Sequence, residues 1–308
     1  MNKNLLVHPH ELSRKWIDRM KEVGVDTLGI HPVGGIRAPR FMKELMETMK
    51  TEEFKSLIDY AEECGLTIEY ELHCAGYLLP RELFETRPEL FRMNAEGERA
   101  KDYNFCFSNE EAVELFVQRA VELAGQLYKS SHKFYFWLDD GKDAKCHCPK
   151  CQQISAADQQ LEINNRILKA LKEKYSDAKL AYLAYFETME LPKNTVPEEG
   201  TFLEYAPIER DMKKPIEQMD PKEKENLLKL IEFFGKKDAK VLEYWYDNSL
   251  FSNWTKPPKK FEPNNELIAE DVKYYQSLGF DNIASFACYL GADYEELYGE
   301  ADISGFKL

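Results

Sequence analysis

One pattern of apolar and polar positions recurs along the chain. A stretch with helical spacing ends at a glycine, a short polar gap follows, and an apolar run begins. The pattern carries Lys21-Glu22-Val23-Gly24 into 27–31, and Glu62-Glu63-Cys64-Gly65 into 67–73. It recurs from Glu232-Phe233-Phe234-Gly235 into 240–246, and from Gln276-Ser277-Leu278-Gly279 into 282–288. Glycine has no Cβ to penalise the left-handed backbone, so it ends a helix at little steric cost. Four such helix-to-strand turns predict a chain of alternating helices and strands.

Extended over the whole sequence, the pattern predicts strands near 4–8, 27–31, 67–73, 133–139, 179–185, 201–206, 240–246 and 282–288. Helices are expected near 11–23, 51–64, 109–127, 159–175, 221–234 and 266–278, with a helical fragment near 294–298. The gap between the fifth and sixth strands leaves little room for a full helix. Ser108 with Glu111 reads as a capping box. Asp220-Pro221 reads as a cap followed by proline at the first helical position. Eight strands with helical crossovers predict an α/β fold of the (β/α)8, or TIM-barrel, type, with 1–308 as a single domain. A doubly wound open sheet is the competing arrangement, but no glycine-rich phosphate loop follows the first strand. The segments 74–108 and 141–158, after strands three and four, are too long for plain connections and read as functional loop insertions.

In such a barrel, catalytic side chains lie at the carboxyl ends of the strands. Four of the six histidines (His8, His10, His31, His73) fall at these ends. The sharpest feature is Trp137-Leu138-Asp139-Asp140-Gly141, where two adjacent carboxylates close an apolar strand. Partial burial and a neighbouring carboxylate both favour the protonated form, which is how a general acid is kept near neutral pH. Asp140 and Asp139 are therefore candidate catalytic groups. Glycoside hydrolysis needs a second carboxylate across the cleft, and Glu204, Glu243 and Asp247 are the candidates. Trp137, Tyr205, Trp245, Tyr246 and Tyr289 could stack on sugar faces, although core packing would use the same residues. His31, Arg37 and His73 could bind hydroxyls or a sugar carboxylate.

Composition narrows the partners. Lys and Arg number 41 against 55 Asp and Glu, a net charge of −14, which argues against duplex nucleic acid and anionic membranes. Aromatic residues make up 13%, which fits either a stacking surface or the core. The N-terminal apolar stretch is Leu5-Leu6-Val7, far too short for a signal peptide, so the expectation is a cytoplasmic protein. No organic cofactor is expected, and the oligomeric state is left open.

Seven cysteines are present, and Cys146-His147-Cys148-Pro149-Lys150-Cys151 packs three thiols into six residues. Short-spaced thiolates suit tetrahedral zinc, and a closed structural site needs a fourth ligand. Cys106 and Cys74, from the preceding long loop, are the best candidates, with His147 next. Such a metal would tie the two long loops together and would not itself be catalytic. Cys64 and Cys288 read as core cysteines.

Four blocks resemble a domain-of-unknown-function family of glycoside-hydrolase-like (β/α)8 barrels. They are Leu78-Leu79-Pro80 with Phe84 and Arg87-Pro88-Glu89-Leu90-Phe91; Gly97-Glu98-Arg99 leading to Asn104-Phe105-Cys106-Phe107-Ser108-Asn109; Asp139-Asp140-Gly141 leading to the cysteine run; and Tyr182-Leu183-Ala184-Tyr185. The resemblance implies a carbohydrate-active barrel distantly similar to hexosaminidases and α-glucuronidases. Hexosaminidase barrels carry Asp-Glu at the end of strand four, and Asp139-Asp140 stands here instead. By position Asp140 would be the acid, and its shorter side chain argues against acetamido-assisted chemistry. Relatives are often secreted and multidomain; this chain shows neither feature, which implies either work on imported oligosaccharides inside the cell or a secreted protein given without its leader.

These readings predict a glycoside hydrolase acting on a small oligosaccharide or glycan fragment. Two alternatives differ in class. One is a metal-dependent sugar isomerase or lyase, with His8, His31, Glu71, His73 and Glu204 around a divalent ion. The other is a non-catalytic carbohydrate-binding barrel.

Overall fold

The computed structural model describes residues 1–307. Its eight parallel strands close into a barrel in chain order. They are β1 (Asn2–Val7), β2 (Thr27–Ile30), β3 (Thr67–His73), β4 (Lys133–Trp137), β5 (Lys179–Ala184), β6 (Thr201–Tyr205), β7 (Lys240–Glu243) and β8 (Asn282–Phe286). The helices are α1 (Arg14–Glu22), α2 (Ala38–Thr48), α3 (Glu52–Glu63), α4 (Ala75–Leu78), α5 (Glu110–Ala124), α6 (Ala156–Lys174), α7 (Pro221–Phe234), α8 (Asn248–Phe251), α9 (Asn265–Leu278) and α10 (Ala292–Tyr298). No described helix is long and apolar enough to cross a membrane.

The glycine pattern holds at all four turns. Gly24, Gly65, Gly235 and Gly279 all have positive φ, from 72° to 97°. The strands are buried along nearly their whole lengths, as expected where helices cover the outer face and side chains fill the lumen. As anticipated, β5 and β6 are joined without an α-helix, through a 3₁₀ turn at Phe186–Met189. Asp220 caps α7 by accepting from Lys222 N.

Several boundaries differ from expectation. The cap of α5 is Asn109, which accepts from Ala112 N, and not Ser108; the Ser108 hydroxyl lies among cysteine sulfurs. Helix α2 was not anticipated, although Ala38, Met42, Leu45 and Met46 form its buried face at helical spacing. Strands β4, β7 and β8 end earlier than the apolar runs suggested, because apolar residues (Leu138, Tyr244 to Tyr246, Ala287 and Cys288) continue past the last strand residue. Helix α6 starts at Ala156, capped by Ser155, inside the segment expected to be a loop. The insertion after β3 is built of α4, two 3₁₀ turns and an antiparallel bridge between Met93 and Arg99.

The chain divides into two units. One holds 1–31, 51–69 and 203 onward, and the other 32–50 and 70–202. In the first unit a charged layer fills the lumen. Lys240 opens β7, pairs in register with Glu204, and is 2% exposed. Its Nζ lies 3.5 Å from Glu69 Oε2 and 3.5 Å from Glu204 Oε1. Asn4 Nδ2 donates to the same Glu69 oxygen at 3.3 Å. Two buried carboxylates thus share one buried ammonium, which only close pairing makes tolerable. Lys240→Ala should therefore cost about 3–5 kcal/mol, since it strands both carboxylates. Urea unfolding measures this, and a loss under about 1 kcal/mol would show that the layer is not ion-paired.

Candidate active site

The second unit carries the Asp-Asp pair. After Trp137 the ladder stops, and the two carboxylates diverge. Asp139 turns into the β3 insertion, and its side chain is 7% exposed. Its Oδ2 accepts from Arg81 Nη2 and from Asn104 N, and its Oδ1 accepts from Gly76 N at 3.2 Å. Asn104 returns the contact, because its Oδ1 accepts from Asp139 N at 2.8 Å. Its remaining groups also bond: Nδ2 donates to Ala144 O at 3.0 Å, and its carbonyl accepts from Arg81 Nη1 at 2.8 Å. Asn104 sits at φ 39°, a left-handed backbone that asparagine tolerates better than most residues. A guanidinium and two backbone amides thus hold Asp139 as a structural carboxylate.

Asp140 is half-buried and differently placed. Tyr185, just past β5, donates its hydroxyl to Asp140 Oδ1 at 3.0 Å. On the other side stand Gly34 and His73. A Cβ on Gly34 would come within 3.2 Å of Asp140 Oδ2 and 3.1 Å of the His73 ring, so this backbone approaches the carboxylate closely only because the residue is glycine. His73 stacks edge-on against Trp137 at 5.0 Å and donates Nδ1–H to Leu138 O at 2.7 Å. The carbonyl can only accept, so the bond assigns that proton. His73, Leu138, Asp139, Gly141, Tyr185 and Glu187 line a cleft in this unit. Arg37 is exposed on a 3₁₀ turn, with its guanidinium 5.7 Å from the Phe41 ring.

In the first unit, imidazoles and aromatics gather at the carboxyl ends of β1, β2, β7 and β8. His8 stacks on His10 at 5.5 Å and on His31 at 5.9 Å. His31 meets Phe286 edge-on at 5.0 Å, and Phe286 meets Tyr244 at 5.2 Å. Tyr289 stands edge-on to His8 at 6.0 Å, under the Lys256 ammonium at 4.1 Å. Its φ is 61°, and neighbouring Trp254 has φ 52° and is 57% exposed. Two bulky residues in left-handed backbone mark local strain of the kind found at ligand sites. Burial drives the His8 ring down to about 4, so near neutral pH it is uncharged and donates Nδ1–H to His31 O at 2.8 Å.

The other expected site residues lie elsewhere in this unit. Strand alternation puts Lys240 and Leu242 toward the lumen and Glu243 toward the helices. Glu243 accepts from Tyr275 of α9 at 2.6 Å and lies 3.3 Å from Arg210 Nη1. Arg210 also pairs with Asp271 of α9, and Trp245 Nε1 donates to Asp271 at 3.0 Å. Tyr205 packs on Tyr275 at 6.5 Å, and Tyr246 on Phe306 at 5.4 Å. Tyr205, Trp245 and Tyr246 thus belong to the packing beneath the helices and not to the aromatic cluster. Asp247 caps α8 through Ser249 N, Ser249 Oγ and Leu250 N. Glu204 is bound to Lys240 at the amino end of β7. Asn104, Arg81, Tyr185, Tyr244 and Phe286 take part where sequence reasoning had not placed them. Tyr244 and Phe286 carried a readable signal, since each continues the lumen-facing alternation of its strand, and Asn104 and Tyr185 stood in the blocks that carry the family resemblance.

Among the described residues, two groups gather potential metal ligands within 4.8 Å: Cys106, Cys146, Cys148 and Cys151; and His8, Glu11 and Cys288. The second already has a cation and donors, because Glu11 accepts from Tyr289 N at 2.9 and 3.0 Å and from Lys256 Nζ at 3.3 Å. Of the residues expected to hold a catalytic ion, only His8 belongs to either group.

The profile of the family described as "Domain of unknown function (DUF4838)" matches residues 32–297, and the chain belongs to that family. No curated protein matches it by sequence. Among solved structures it resembles a β-galactosidase from the psychrophilic Marinomonas ef1, with TM-score 0.55 and 11% identity over 93% of this chain. The chain spans 54% of that enzyme's length. It also resembles a glycoside hydrolase family 5 enzyme from Prevotella bryantii, with TM-score 0.52 and 9% identity over 96% of this chain and 85% of that one. A broad-specificity endoglucanase from an uncultured bacterium gives TM-score 0.52 and 9% identity over 96% and 83%. At these identities the likeness shows a shared barrel fold.

The Glu243 cluster makes a pH prediction. Burial pushes Glu243 up to about 7 against the opposing pull of Arg210, whose charge Asp271 already shares. A raised carboxyl favours the folded state while protonated. That stability is present below the unfolded value near 4.5 and is lost as pH rises through about 7. Glu243→Gln removes the titration. The melting temperature of E243Q relative to the native chain should therefore rise between pH 5 and pH 8, corresponding to up to about 3 kcal/mol. A pH-independent difference would refute the assignment.

Proposed function

We propose that this member of the DUF4838 family is a glycoside hydrolase in which Asp140 is the general acid. The observation that carries the reading is the unequal treatment of the two carboxylates at the end of β4. Asp139 is tied to Arg81, Asn104 and Gly76, while Asp140 is bonded through Oδ1 to Tyr185 and sets Oδ2 beside Gly34. A general acid needs such an oxygen within reach of the leaving group, held by few internal bonds. Tyr185 orients the carboxylate through Oδ1, which leaves Oδ2 as the oxygen that would carry the transferable proton. Asp139 acts through Asn104 and the backbone, as a positioning residue.

The first unit, taken by itself, carries a ring cluster of the kind that recognises sugars. Neutral imidazoles donate to and accept from hydroxyls, and aromatic faces stack on the apolar faces of pyranose rings. His8, His31, Tyr244 and Tyr289 supply groups of both kinds in a buried cluster, with exposed Trp254 beside Tyr289. The barrel likeness agrees with this reading: the Prevotella bryantii enzyme was captured with a xyloglucan tetradecasaccharide. The second carboxylate of the reaction is assigned to neither Glu204 nor Glu243, since the first is bound to Lys240 and the second to Tyr275 and Arg210.

Turnover of a panel of aryl glycosides and short oligosaccharides tests the proposal. Asp140→Asn should lower kcat/KM by about 10²–10⁴ with an unchanged melting temperature. Tyr185→Phe should give a smaller loss, mainly in kcat. Near-native turnover by D140N would overturn the assignment of the acid. Binding of glycans by the native chain without turnover would replace the hydrolase with a carbohydrate-binding barrel.

A further inference from the structure

We propose that Cys106, Cys146, Cys148 and Cys151 bind one zinc ion in a closed four-thiolate site that fastens the insertion after β3 to the segment after β4. Sequence spacing alone left the fourth ligand open between Cys106, Cys74 and His147. The geometry selects Cys106. Its sulfur and the three sulfurs of the cysteine run lie within 4.8 Å of one another, and all four residues are buried. Cys74 turns away to Trp137 O at 3.7 Å, and His147 Nε2 is engaged with Asp143 at 2.8 Å.

The spacing suits a metal and not a disulfide. Zinc–sulfur bonds of about 2.3 Å in a tetrahedron put sulfurs about 3.8 Å apart. Cys106 and Cys148 stand at 3.7 Å, while a disulfide requires about 2.05 Å. The four cysteines are free thiols, so each can supply a thiolate.

The surroundings resemble a second coordination sphere. Met93 N donates to Cys146 Sγ at 3.3 Å. Ser108 Oγ is within hydrogen-bond reach of Cys148 at 3.3 Å and Cys106 at 3.4 Å. Gln159 clamps the run, accepting from Cys146 N at 3.0 Å and donating to Cys146 O and Cys151 O at 3.2 and 3.0 Å. Such contacts orient ligands before the metal arrives. Four thiolates around Zn²⁺ leave a net charge of −2, which is costly in a buried place. Two guanidiniums stand against it: Arg99 interacts with Cys106, Cys146 and Cys148, and Arg92 with Cys146. With four protein ligands no position is left for substrate or water, so the metal is structural.

The site has a consequence for the strand-four carboxylates. Cys106 is two residues from Asn104, whose every polar group serves Asp139, Arg81 or Ala144. Fixing Cys106 therefore fixes the segment that holds Asp139.

Metal analysis of the purified full chain tests the proposal without any substrate, so its outcome is separate from the hydrolase reading. One zinc per chain is expected, released in step with mercurial titration of four thiols. Cobalt substitution should give the intense visible bands of tetrahedral thiolate ligation. Cys106→Ser should lose zinc to a chelator at least about tenfold faster, with new protease cleavage within 74–108. Cys64→Ser, outside the group, should behave as the native chain. Four free thiols without metal, iron in place of zinc, a disulfide within the group, or unchanged zinc retention in C106S would each overturn it. Should C106S fail to fold, the native chain's metal content and cobalt spectrum decide alone.

Discussion

Much of the second unit follows from one constraint: a carboxylate at the end of β4 that is almost fully buried must be completely satisfied. An ionised carboxylate away from water is tolerated only where a charge and several donors meet it. Asp139 finds all of them on the β3 insertion, in Arg81, Asn104 N and Gly76 N. That requirement ties the insertion to the segment after β4 through three hydrogen bonds. It in turn explains the left-handed backbone at Asn104, which brings an amide and a side-chain oxygen to one aspartate at once. Asp140 benefits indirectly, since its neighbour absorbs the local bonding capacity and Tyr185 is left to orient it.

The first unit obeys a different constraint, set by strand alternation. Lumen-facing positions at the amino end of β7 carry Lys240 with its two glutamates, and lumen-facing positions at the carboxyl ends carry rings. Helix-facing positions carry Glu243, Trp245 and Tyr205, joined to Arg210, Asp271 and Tyr275. Each charged cluster has fewer cations than carboxylates. In the lumen, one ammonium serves Glu69 and Glu204. Under the helices, one guanidinium serves Asp271 and Glu243, and the excess is met by Glu243 holding its proton to about 7. A raised carboxyl pKa thus arises here from structural packing, which is a reason not to equate perturbed titration with catalysis.

What was readable in the chain was whatever depends on local rules. Gly24, Gly65, Gly235 and Gly279 announced four helix ends because a positive φ has few other occupants. Asp220-Pro221 announced a helix start for a similar reason. The barrel class followed from counting such signals. Helix α2 carries the same apolar spacing in Ala38, Met42, Leu45 and Met46, but it leads into α3 and not into a strand, so no helix-ending glycine marks it. Side-chain destinations were far less readable. Trp245 and Tyr246 look like site aromatics by their place at a strand end, but β7 stops at Glu243; Trp245 bonds to α9, and both pack on Phe306 of the C-terminal turn. Glu204 lies near a strand end by number, yet the stagger of a barrel pairs it with the first residue of β7. Register between strands cannot be read from either strand alone.

Cys106 and Asn104 show where local and non-local information meet. The motif Asn104-Phe105-Cys106 has no meaning by itself. It gains one only when Asp139 and the cysteine run, both after β4, are brought beside it. The two contacts reinforce each other, because each fixes the same short stretch of backbone against the same neighbouring segment. Arg92 adds a third tie, donating to the carbonyls of Asp143 and Lys145 while held by Asp102. Three ties of different chemistry, within one insertion, share the work of placing Asp139. A site made by hydrogen bonds alone would yield to any residue change in the insertion. One that also shares buried sulfurs with the segment after β4 has its geometry set from both sides.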